Sequence, residues 1–412
     1  MGMVLQRTAP AWAGEGALDG LAEALLDALP DPAWRDLVDV ERDGATLAVA
    51  LHPAEESLRC EVEGDRLRVT GRTNSAGPGY HAFVLDLLDR AGEACGLVWD
   101  PPEDLTASED VPSLQAEAAD WLREVARRIS ALAREGSGSL GVSLPEGTVL
   151  VDERRVASPL GLWEPSWFEE TAALEGDALL RRAAEFYPWF GEGLDATAWA
   201  RAGQVIAWVD LPWRAPRDDA ETRRYQQARL CFARARTLDP EVALPPGVED
   251  EVRRLLDARG RPLEAPAPDG VGFRRRVLRW ALAGGWSIEL PGYYTSTLER
   301  GGETKLIWFP GRTVRVSTFS MRVPDGSAPP AEHLLREVPE GAGPVATFER
   351  GHLRGQAVFL EEEEDGKRFF TLQGEVAAPG EVCVVTVSFT DMADRDWAIA
   401  TWSSAFHPGP EA

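Results

Sequence analysis

The chain has 412 residues, 43 of them basic and 68 acidic, for a formal charge of −25. A surface this negative repels phosphate backbones, so nucleic acid is disfavoured as a partner and encounter with a basic protein is favoured. The length exceeds what one ordinary core supports, so two or three domains are expected, and 44% hydrophobic residues with 15 Trp mark a folded chain rather than a disordered one.

No apolar run reaches the roughly 18 residues that a membrane-spanning helix needs. The stretch Met1 to Pro10 lacks the basic-then-apolar pattern of a secretory leader. Gly2 suits myristoylation, but Gln6 stands where that motif wants Ser or Thr. Cys60, Cys95, Cys231 and Cys383 are scattered without a Cys-x-x-Cys pair, as expected of reduced thiols in a cytoplasmic protein. The acid is unevenly spread: residues 1–150 hold 12 basic and 27 acidic side chains, whereas residues 271–412 hold 15 and 19. An electrostatic partner would therefore be drawn to the N-terminal third.

In chain order, Leu18, Leu21, Leu25, Leu26 and Leu29 recur at helical spacing. The period then drops to two at Leu47/Val49/Leu51, Leu58/Cys60/Val62 and Leu67/Val69, with Asp43-Gly44 and Gly64-Asp65 at hairpin positions, which predicts an antiparallel meander. A turn-rich loop follows, Asn74-Ser75-Ala76-Gly77-Pro78-Gly79-Tyr80-His81. After it come a helix carrying Val84, Leu87, Leu88 and Ala91 and the short apolar run Leu97-Val98-Trp99-Asp100. A second helix is predicted over 113–134 and a Gly/Ser linker over 136–139. The apolar run 147–151 could add a strand to either neighbour.

Residues 160–260 read as helical and rich in Trp. The spacing Tyr225-x-x-Ala228-x-x-x-Phe232-x-x-Ala235-x-x-Leu238-Asp239-Pro240 resembles the second helix of a tetratricopeptide repeat, and no second copy follows it. Residues 260–270 form a Pro/Ala-rich linker, and Phe273–Trp280 is predicted as a helix with Arg274, Arg275, Arg276 and Arg279 on its polar face.

Beyond it, strands are predicted over 286–290, 304–309, 313–319, 345–349, 356–362, 368–373 and 382–389, with turns at Asp365-Gly366 and Pro379-Gly380. One helix is expected after Pro329-Pro330. Another is capped by Asp391 and buries Ile399, Trp402 and Phe406. This order, opening on Gly285-Trp-Ser-Ile-Glu-Leu-Pro-Gly-Tyr-Tyr294, is similar to the Mog1/PsbP-like fold. That resemblance implies a protein-binding role. The fold class is accordingly α+β and multidomain: an α+β domain at 1–140, a helical region at 141–260 and an α+β domain at 271–412.

Candidate chemistry centres on the loop 74–81. Gly77-x-Gly79-x-x-Ala82 follows a strand and opens a helix, and Asp100 lies 21 residues after Gly79, which formally matches a dinucleotide fingerprint. Against it, the strand 65–72 alternates as a half-exposed strand does, several polar residues precede Gly77, and no βαβ unit follows. The loop reads first as a helix-initiating turn, then as a small polar site of Asn74, Ser75, Tyr80 and His81. Ser75 lacks a nucleophile elbow.

His52, His81, His333, His352 and His407 lie apart in sequence, so no metal site and no cofactor is expected. The run Glu361 to Asp365 reads as a hairpin tip. The middle aromatics read as core, or else Trp163, Trp167, Trp213 and Arg214 are exposed interface anchors. The leading functional expectation is a non-catalytic bacterial immunity or accessory protein that captures a basic protein partner. The alternative is an enzyme or small-ligand regulator with its site at 74–81.

Overall fold

Leu18, Leu21 and Leu25 share one face of the first helix, α1 (Ala17–Asp27), and all three are buried. A computed structural model describes residues 4–10, 17–100, 110–135, 148–151, 155–299, 304–324, 326–337, 346–364 and 367–409. The meander forms as its period-two pattern dictates. Strands β1 (Val4–Pro10), β2 (Asp39–Asp43), β3 (Thr46–Ala50), β4 (Leu58–Glu63) and β5 (Arg66–Arg72) make one antiparallel sheet in the order β1-β5-β4-β3-β2. Gly44 and Gly64 turn its hairpins at φ of 56° and 65°, where a side chain would be strained.

Both edge strands escape the sequence pattern. β2 is Asp39-Val-Glu-Arg-Asp43, charged and exposed as a protected edge is, and β1 pairs with a strand far along the chain, from Val4 with Arg72 to Pro10 with Arg66. Helices α1 and α2 (Pro78–Cys95) cover the apolar face of Leu47, Val49, Cys60, Leu67 and Val69.

The long helix α3 (Val111–Glu135) turns its apolar stripe to a different core. Ala118, Ala119, Leu122 and Ala126 pack with Val156, Phe168, Leu179, Ala183, Phe186 and Tyr187. Val156 belongs to β7 (Val156–Ser158), which forms a small hairpin with β8 (Gly161–Trp163); Phe168 belongs to α4 (Pro165–Ala172), Leu179, Ala183 and Phe186 to α5 (Gly176–Phe186), and Tyr187 follows α5 directly. The Gly/Ser linker at 136–139 lies outside the described residues.

Next come α6 (Ala196–Val205), a π-helical turn at Ile206–Asp210, α7 (Asp219–Leu238) and α8 (Val248–Asp257). Tyr225, Ala228, Phe232 and Ala235, the residues that carry the tetratricopeptide resemblance, are buried along α7. A methyl at Gly203 of α6 would stand 2.7 Å from the Phe232 ring, so glycine there lets α6 and α7 approach.

The helix expected at 273–280 is not formed. A single 3-10 turn, Phe273–Arg275, leads into strand β9 (Val277–Ala281), whose Leu278 and Trp280 point inward while their neighbours face out. Two periods fit so short a segment, and pairing decides: β9 lies between β10 (Ser287–Pro291) and β6 (Val149–Leu150). The ambiguous run near 147–151 thus joins the C-terminal unit.

The main C-terminal sheet is antiparallel with seven strands, ordered β11 (Thr295–Leu298), β12 (Thr304–Phe309), β13 (Arg312–Ser320), β17 (Glu381–Phe389), β16 (Lys367–Ala378), β15 (Leu353–Glu364), β14 (Ala346–Arg350). Strand β11 was not expected from the sequence. Among the described residues after Pro330 there is a 3-10 turn, Ala331–His333, in place of the expected helix, and the turn Asp365-Gly366 lies outside the described residues.

Asp391 caps as expected by accepting from the Ala393 N–H, ahead of α9 (Arg395–Ser403). That helix buries Ala398, Thr401 and Trp402, while Ile399 is partly covered and Phe406 is exposed. The helix stops at Ser403, so Phe406 never joins its stripe. The fold is α+β, with antiparallel sheets and a helical middle. Among the described residues, no helix is long and apolar enough to cross a membrane.

Candidate functional site

The loop 74–81 initiates α2, and its side chains turn inward. Asn74 and Ser75 are partly buried, and Tyr80 and His81 are buried. The main chain of Trp189 seals the loop: its N–H donates to the Ala76 carbonyl (2.7 Å) and its carbonyl accepts from Gly79 N–H (3.1 Å). A methyl at Gly79 would stand 2.0 Å from the Gly191 carbonyl oxygen, and one at Gly77 (φ 116°) 2.8 Å from that of Trp189. The glycines that match the dinucleotide fingerprint therefore admit a second stretch of backbone where a pyrophosphate would lie. Asp100 accepts from the Thr8 hydroxyl (2.6 Å) and pairs with Arg66.

Beneath the loop lies a cluster of ionisable groups. Glu55 Oε1 accepts from the Ala76 N–H at 2.6 Å, and its carboxylate also meets Ser75. Burial pushes the Glu55 carboxyl up to about 7, against the pull of its hydrogen bonds to Ala76 and Ser75. His52 is buried and its basicity is driven down to about 3 by desolvation, so it is neutral. Its Nδ1 accepts from Ala54 N–H (3.0 Å), which leaves the proton on Nε2.

That Nε2, the Tyr80 hydroxyl and the Trp199 indole nitrogen are buried without a protein partner. All three belong to one aromatic box. The His52 ring lies 5.3 Å from Tyr80 and 6.1 Å from both Trp34 and Trp189, and Trp34 lies 4.6 Å from Trp199. His81 does not pair with Ser75; its Nδ1 meets the Thr73 hydroxyl at 2.7 Å. Burial, then the Arg7 charge, lowers its basicity.

Trp213 and Arg214, read as exposed anchors, are both buried. Arg214 uses all five guanidinium donors: two on Glu221 (2.7 and 2.9 Å) and one each on the Tyr293 carbonyl, the Ala215 carbonyl and the Thr295 hydroxyl. The group thereby clasps the helical middle to β11. Trp213 is held at φ 57°, donates to the Ala207 carbonyl (2.9 Å), and carries the Arg275 guanidinium 4.1 Å from its ring. Arg275, expected on an exposed helix face, is buried and paired with Glu251 (2.6 Å).

Trp163 and Trp167 are only partly buried and lie 4.4 Å apart. Trp163 donates to the Ser158 hydroxyl (2.7 Å), and Arg182 lies over Trp167 at 4.9 Å. Glu164, Glu169 and Glu170 are exposed around the pair. Over residues 164–186 six carboxylates meet two arginines, so the surroundings are net acidic.

Sequence reasoning passed over Glu55 and His52. Glu55 is one acid among 68, and its one signal was a polar turn, His52-Pro53-Ala54-Glu55-Glu56, between two alternating strands. His352 and His407, distant in sequence, come within 6.5 Å, but their nitrogens bond main-chain groups of His407, Gly284 and Gly409. Among the described residues, no three His, Cys, Asp or Glu side chains gather as a metal site.

No family model matches the chain, and no curated protein matches it. Among solved structures, the solution structure of cyanobacterial PsbP (CyanoP) from Synechocystis sp. PCC 6803 is similar at 10% identity and a TM-score of 0.17, over 31% of this chain and 91% of that one. A crystal structure from Bacteroides thetaiotaomicron VPI-5482 is similar at 13% identity and a TM-score of 0.25, over 30% of this chain and 45% of that one. The chain thus spans less than half the length of the Bacteroides protein, and both likenesses are distant.

Proposed function

We propose that the chain is a non-catalytic binding protein of the immunity or accessory kind, and that it holds a basic protein partner in a bacterial cytoplasm. The observation that carries this reading is the half-buried Trp163–Trp167 pair set among exposed Glu164, Glu169 and Glu170. Paired indoles offer a rigid apolar anchor and a face for a cation, and the carboxylates around them favour Lys or Arg on the partner. The net charge of −25 would speed the encounter.

Capture from a lysate of the native host tests this directly, comparing the wild-type chain with a Trp167→Ala/Glu169→Lys/Glu170→Lys variant at low and moderate salt. Basic proteins retained by the wild type, released by salt and lost from the variant support the reading. An identical set on both chains, insensitive to salt, sinks it.

A second reading, a small-ligand regulator or enzyme at 74–81, draws on Glu55, whose carboxyl titrates near neutrality beside Ser75. Ligand-induced shifts in melting temperature that survive Ser75→Ala with His81→Ala would remove it.

A further inference from the structure

The loop Thr73–Gly79 is a seam between two parts of the chain. On one side stand β5, α2 and the β3–β4 turn that carries His52 and Glu55. On the other stands the segment 187–191, joined by the two main-chain hydrogen bonds to Trp189 and by the close approach of Gly77 and Gly79. Glu55 is the one carboxylate built into this seam, bonded to the Ala76 N–H whose own carbonyl receives Trp189. Among the described residues no cation pairs with it: the neighbouring Tyr80 phenol and the nearby His52 imidazole are buried and neutral, and the only charge acting on it is the like charge of Glu56. We infer that the seam is a pH-sensitive latch, closed when Glu55 carries a proton and loosened when it does not.

The groups that could compete are few. Glu56, on the same turn, adds a second negative charge and opposes ionisation of Glu55. From α2, Tyr80 is held neutral by burial, and Glu55 itself pushes that phenol further up. His81 is influenced by Arg7 of β1. The 187–191 segment contains no ionisable side chain but Tyr187, which burial keeps protonated; Glu192, just beyond, is exposed.

The sign follows from burial. The folded carboxyl titrates near 7 against 4.5 for the ordinary group, so the closed seam binds the proton more tightly than an open one does. The proton's contribution is whole below about 4.5, falls as pH rises and is gone above about 7.

Amide hydrogen exchange read by mass spectrometry, corrected for the intrinsic pH dependence of exchange, tests the latch between pH 5 and pH 8. Protection of peptides spanning 73–79 and 187–191 should fall about tenfold or more in the wild type, one pKa unit's worth of linkage or better. Peptides of α7 should keep theirs, and Glu55→Gln should be flat across the range. Constant wild-type protection, or a Glu55→Gln chain that keeps the fall, overturns the inference. If Glu55→Gln does not fold, Glu56→Gln decides. Removing that charge should lower the pH at which the fall is complete, and an unmoved end point overturns the inference equally.

Discussion

Two seams join the parts of this chain, and they solve the burial of charge in opposite ways. At the clasp between the helical middle and the C-terminal sheet, Arg214 satisfies every donor it has, and Arg275 pairs with Glu251 while lying over Trp213. At the Thr73–Gly79 seam, a carboxylate is partly buried with main-chain and serine partners but no cation, beside a phenol and an imidazole left without partners. A saturated network holds one geometry, whereas an unsaturated one responds to a proton. The first seam is therefore rigid by construction, and the second is where the molecule can be adjusted.

The largest effect is expected at the clasp. Arg214→Met removes five hydrogen bonds and leaves the Glu221 carboxylate with the Arg217 N–H but without its cation, and should cost about 3–5 kcal/mol in chemical denaturation. Adding Glu221→Gln should recover part of that loss, and strict additivity of the two substitutions would break the picture of a coupled pair.

Next in size is Gly79→Ala. Its methyl meets a carbonyl oxygen at 2.0 Å with no flexible side chain to give way, so a loss of about 1–3 kcal/mol is expected by the same measurement. A neutral result would mean that the 187–191 backbone does not press on the loop.

The smallest effect separates the seams most sharply. Tyr80→Phe deletes a buried hydroxyl that has no protein partner and should change stability by less than about 1 kcal/mol, in either direction. Tyr225→Phe, whose hydroxyl donates to the Arg214 carbonyl at 2.7 Å within the clasp, should cost about 1 kcal/mol or more. Equal losses at both tyrosines would erase the contrast.

Much of the architecture was legible beforehand. The meander, α2, α3, α7 and the last strands each carry a clear period of two or 3.6, and period follows directly from which face is buried. The failures have one cause. At Phe273–Trp280, β2 and β11 the local pattern is short or charged, and it is pairing with the next strand along the chain that selects the conformation. The candidate site was legible only in outline. The glycines of 77–79 signalled close approach, but the approaching group is the Trp189–Gly191 backbone, more than a hundred residues away. Trp213 and Arg214 have the composition of interface anchors, and composition does not distinguish an interface between two proteins from one inside a single chain.

From its residues alone this chain settles its negative charge, its scattered thiols and the amphipathic order of its elements, because those depend on side-chain identity and near-neighbour spacing. Which carboxylate loses water, which guanidinium is saturated and which indoles stay half in solvent were decided only by folding. Desolvation depends on what arrives from elsewhere in the chain, and no local spacing encodes that.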